Sequence, residues 1–232
     1  YIECFEWFLA PTDLDGENPD PEAAPHVINN SWHCPEMEGC NPDNFALMET
    51  AVEALRAAGV VVVVSAGNDG PECNTVQNPA TIFEGSFSIG AISNVDTIPN
   101  FSSRGAVTSD GSLRLKPNVV APGVRVRSAT RNGGYATWSG TSMAAPHVAG
   151  AVALIISAVP ELAGEVEQIE TILEETAVPI YVDQDCDSYL GSVSPNAVTG
   201  YGKIDVLAAV ERAQEVVGTE ELTAARWQVF PS

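Results

Sequence analysis

Residues 60–70 read VVVVVSAGNDG, and the fold follows from this stretch. Five consecutive valines, Val60 to Val64, make a strand that is apolar on both faces, as parallel strands between helices are. The strand stops at SAGNDG, where glycine, asparagine and aspartate favour a turn. Upstream, NFALMETAVEALRAAG (residues 44–59) has the spacing of an amphipathic helix and ends at a glycine. Before it, HVINNSW (residues 26–32) enters another strand. Strand, helix, strand is a right-handed crossover unit. The expectation is an α/β fold in three layers, with a mostly parallel central sheet flanked by helices.

Further apolar pieces follow at SFSIGAI (86–92), NVVAPG (118–123) and RVRSAT (125–130). Residues 142–159 are apolar all round, which predicts a central helix. EVEQIETILEETA (165–177) and KIDVLAAVERAQEVV (203–217) read as outer helices. IECFEWFLA (2–10) reads as a helix already under way at residue 1, followed by a long polar, proline-rich loop over residues 11–25. No internal repeat interrupts the pattern, and residues 1–232 read as a single domain.

The chain has 31 acidic against 10 basic residues, a formal charge of −21. Such a surface repels nucleic acid and anionic lipid, so neither is expected as a partner. No apolar run is read as long enough to span a membrane. The five cysteines lack CxxC spacing or clustered histidines, which argues against zinc and for disulfides in an extracellular protein. Cys34 and Cys40 bracket CPEMEGC, a loop whose proline and glycine let it close. Cys73 can pair with Cys186, leaving Cys4 for an upstream partner.

SGTSMAAPHVAG (139–150) places Ser142 at the start of the central helix. A serine there is a helix cap or a nucleophile. As a nucleophile it offers its own N–H to a developing oxyanion, and Asn68, just past the carboxyl end of the valine strand, offers a second donor. Pro146 lacks an N–H and therefore leaves the Ser142 carbonyl without its helical partner.

Taken together, GTSMAAPHVAG, VVVVVSAGNDG, HVINNSW, NFSSRG (100–105), KPNVVAPG (116–123) and GYGKIDVLAAV (200–210) resemble, in the same order, segments of the subtilisin-like serine proteases. The resemblance implies a secreted endopeptidase that hydrolyses polypeptides through an acyl-enzyme on Ser142, with Asn68 as oxyanion donor. Ser31, Trp32 and His33, with Ser65, Ala66 and Gly67, would form the cleft walls. Gln77 would fall near the base of the specificity pocket, where well-known members have glycine, and His33 stands where the family has glycine.

The family orders its triad Asp, His, Ser. The chain's histidines are His26, His33 and His147, and none stands in the family's base context. Two readings follow. The chain is the C-terminal part of a catalytic domain whose N-terminal part, with the triad Asp and His, lies elsewhere; or it is a non-catalytic, protease-like binding module. Retention of both Ser142 and Asn68 favours the first. No cofactor is required for the chemistry. Structural calcium is an expectation by analogy near NPATIFEGS (78–86), whereas Asp183, Asp185 and Asp187 in DQDCD lack the glycine and glutamate of a calcium loop.

Overall fold

The structure is a computed structural model and describes residues 1–228. Strands β1 (Val27–Asn30), β2 (Val61–Ser65), β3 (Phe87–Ile92) and β4 (Val119–Pro122) form one parallel sheet in the order β1-β2-β3-β4. Register pairs Val27 with Val61, Val63 with Phe87 and Ile89 with Val119. Each strand therefore lies beside the next in sequence, and the helix Phe45–Ala57 carries the crossover from β1 to β2, as strand, helix, strand predicts.

The valine run explains the three layers. Alternate residues of a strand point to opposite faces. Val61 and Val63 enter a core with Ile89, Ala91 and Ala121, closed by helices α3 (Thr141–Ala158), α4 (Val166–Glu175) and α5 (Val206–Gln228). Val62 and Val64 enter the opposite core with Ile28, Met48, Val52 and Leu55, closed by α1 (Ile2–Leu9) and α2 (Phe45–Ala57). All four of these valines are at most 1% exposed. A polar residue at any of them would be buried without a partner.

Helix α3 departs from the expectation of burial all round. It packs on all four strands, yet Gly150, Ala153, Leu154 and Ser157 are exposed on its outer face. Its composition of small and apolar residues without a charge made both faces look alike. The reading that no apolar run could span a membrane is also corrected: α3, with 18 residues, is long and apolar enough by length and composition. Its contacts with the sheet are those of a core helix.

A second departure is strand β6 (Tyr135–Trp138), which pairs antiparallel with β5 (Val126–Ala129) in a separate ribbon. The ribbon ends at Gly140, where α3 begins. The disulfide expected from the CPEMEGC loop, Cys34 to Cys40, is formed, Cys73 is bonded to Cys186, and Cys4 is exposed and free.

Candidate active site

Three chain segments converge at the carboxyl edge of the sheet, where ligands bind in open α/β folds. Residues 31–33 leave β1, residues 66–69 leave β2, and α3 starts between them. Ser31, Trp32, His33, Ser65, Ala66, Gly67, Asn68, Asp69, Asn78, Thr81 and Ser142 line one small depression of about 30 Å³. Of the residues singled out from sequence, Gln77 alone stays outside it. Its side chain turns back onto the Asn74 carbonyl, and Asn78 and Thr81 take the wall instead. A tight turn shifts the inward position by one residue, which sequence spacing alone does not reveal.

Asn68 is held by its oxygen. Its Oδ1 accepts the Thr141 N–H at 2.9 Å, and the Thr141 hydroxyl lies 3.2 Å from the same atom. The Thr141 hydroxyl also receives the Gly67 N–H at 3.3 Å. Ser103 braces the other side, its N–H on the Gly67 carbonyl at 3.0 Å and its Oγ accepting from the Asp69 N–H at 3.0 Å. Gly67 has φ +110, and a Cβ there would meet Ser103 Oγ at 2.7 Å, so this turn requires glycine. With Oδ1 engaged, Asn68 Nδ2 has no partner among the described residues.

Ser142 is the second residue of α3. Its N–H is one of the orphan donors of a helix start, and the N-cap residue Gly140 has no side chain to reach it. A negative charge forming here would meet the Ser142 N–H, the Asn68 amide and the positive end of the helix together.

The carbonyl that Pro146 orphans is not left bare. Ser31 Oγ donates to Ser142 O at 3.0 Å, and Ser142 Oγ in turn lies 3.4 Å from Ser31 O. Ser31 Oγ also accepts from Asn29 Nδ2 at 3.0 Å, which orients its proton toward Ser142. The cleft wall and the helix start are thus tied by a bond that the proline makes necessary. Neither Thr141 as the anchor of Asn68 nor Ser31 as this partner is legible from sequence, although Pro146 signals that some partner is needed.

Removing that bond gives a test. Ser31→Ala should lower stability by about 1 kcal/mol. In a Pro146→Ala background the restored N–H serves the same carbonyl, so the cost of Ser31→Ala should shrink. Strictly additive losses in chemical denaturation would separate the two residues.

No histidine bonds to Ser142 Oγ. His147 Nδ1 is 2.9 Å from the Met143 carbonyl one turn back on α3, so Nδ1 carries the proton and donates it. His26 precedes β1, at the opposite end of the strand from Ser31. His33 lines the depression without a bond to the serine. On the other side of Ser142, the β5–β6 ribbon and the first turns of α3 enclose a larger groove of about 390 Å³, lined by Trp138, Met143, Pro146 and His147 among others. Ser142 stands at the boundary of the two.

The acidic loop does not gather its carboxylates. Asp185 Oδ1 accepts from the Gly191 N–H at 2.9 Å, and among the described residues no group of three or more His, Cys, Asp or Glu could hold a metal ion. In the stretch where calcium was expected, the buried Lys116 ammonium donates to Ser86 O and, at 2.9 Å, to Asn118 Oδ1.

Residues 13–202 match the model of the subtilase family. The chain belongs to that family. This subtilase is 37% identical over 227 residues to bacillopeptidase F of Bacillus subtilis (strain 168), covering 95% of the chain but 14% of that protein. It is 33% identical over 187 residues to a subtilisin of Bacillus pumilus, covering 80% of the chain and 59% of the relative. The chain therefore spans less than two thirds of either relative. Among solved structures, the prenylagaramide maturation protease PagA superposes with a TM-score of 0.63 at 22% identity, covering 82% of the subtilase chain and 62% of PagA, which supports the fold.

Proposed function

We propose that the protein is a serine endopeptidase that cleaves polypeptides, with Ser142 as nucleophile. The supporting observation is that the Ser142 N–H and Asn68 Nδ2, neither with a partner among the described residues, line one depression with the Ser142 hydroxyl at the start of α3. Ser142 Oγ attacks the scissile carbonyl, the two donors hold the oxyanion, and the acyl-enzyme is hydrolysed by water.

The proton acceptor comes from residues outside this chain. Among the described residues, Ser142 Oγ bonds to a backbone carbonyl at 3.4 Å, and a carbonyl cannot take up its proton. This reading assigns the triad Asp and His to an N-terminal part of the protease, which would be the chain's first partner. Secretion accords with the two disulfides, which persist in oxidising compartments.

A fluorophosphonate probe tests the reading on the protease with its natural upstream sequence. Labelling is expected at Ser142 and is expected to vanish in Ser142→Ala. Absence of labelling in the intact protein would leave the non-catalytic module as the answer.

A further inference from the structure

Arg104 is a buried cation without an anion. The residue is 9% exposed, and its guanidinium makes one hydrogen bond, from Nη1 to Gln184 Oε1. Nε is buried with no partner at all. Among the described residues the ion pairs involve Arg56, Arg114, Lys203 and Arg212, and none involves Arg104. A guanidinium has five N–H donors and cannot shed its charge, so burying it with one bond is costly. Burial pulls its pKa below the ordinary arginine value, with the Glu72 carboxylate opposing.

The guanidinium lines a cavity of about 360 Å³ on the flank of the molecule. Ile98, Ile180, Val182 and Val198 supply its apolar lining, with Thr97, Tyr181 and Gln184 beside them. Two carboxylates also line it. Asp96 is already engaged by Lys203 at 2.7 Å, and Asp183 is exposed. The wall formed by residues 180–184 is anchored from behind: Cys186 is bonded to Cys73, and Gln184 Nε2 donates to the Pro71 carbonyl at 3.0 Å. A planar cation beside apolar side chains suits a carboxylate, which it can grip through two parallel N–H bonds.

We propose that this cavity is a binding site for a small organic carboxylate with an apolar body, of the size of an acylated amino acid, gripped by Arg104. The site is separate from the Ser142 depression. It lies behind the loop that carries Asn68, since Ser103, the residue before Arg104, is the brace of Gly67 and Asp69. The inference does not depend on proteolysis by Ser142.

Titration of the full chain with N-acetyl-leucine, followed by calorimetry and by the arginine Nε–Hε resonances, tests it. Saturable binding with a dissociation constant on the order of a millimolar is expected for a ligand of this size. N-acetyl-leucinamide, which lacks the charge, should not saturate in that range. Arg104→Gln should weaken binding by roughly tenfold or more, as loss of a charge-assisted pair does. Ile98→Trp fills the chamber while leaving the guanidinium in place and should weaken binding as much, so the test stands even if the Arg104 variant fails to fold. Absence of saturation, or equal binding of the amide, would overturn the proposal.

Discussion

Asn68→Ala is expected to lower kcat roughly 10²–10³-fold in the complete protease, with KM little changed. The magnitude is that of removing one such donor from a subtilisin, and it is carried over to this relative. The geometry accounts for the direction. Asn68 Oδ1 is fixed by the Thr141 N–H at 2.9 Å, so Nδ2 is aimed before any substrate arrives. A donor held in place needs no reorganisation when charge develops, and its effect then falls on the transition state. A loss carried mainly by KM would assign Asn68 to substrate binding instead. Thr141→Val keeps the backbone N–H and removes only the hydroxyl at 3.2 Å, so its loss in kcat should be the smaller of the two.

How much of this was legible in the sequence depends on the range of the forces involved. The valine run told its own story, because burial on both faces follows from local composition. Ser142 and Asn68 were legible as donors because each sits at the end of an element, where backbone groups are left open. The bond from Ser31 to Ser142 O joins residues 111 positions apart, and no local pattern encodes it. The exposed outer face of α3 was hidden for a related reason. A helix of small apolar residues fits against one layer or two, and its composition does not say which. The exchange of Gln77 for Asn78 in the pocket wall turns on the course of a single loop. Strand β6, four residues long, directly follows a Gly-Gly pair, is mostly exposed and carries no apolar alternation.

Lys116 should make stability rise with pH in the alkaline range. It is 2% exposed, and burial pushes its pKa down to about 8, with Glu84, Glu170 and Glu174 opposing and Arg114 adding to the fall. In the unfolded chain the amine keeps its ordinary value near 10.5. Between these two values the unfolded chain holds a proton that the folded one has released, so the folded state gains as pH rises. Below about pH 8 both states are protonated and the cost of the buried charge is fully present. Burial raises Glu170 and Glu174, and the Arg56 ion pair at 2.6 Å opposes the rise at Glu170. Measured by chemical denaturation against Lys116→Met, the wild-type stability should improve relative to the variant by about 2–3 kcal/mol between pH 7 and 10. A constant difference across that range would mean that Ser86 O, Asn118 Oδ1 and the nearby carboxylates together replace the water the ammonium has lost.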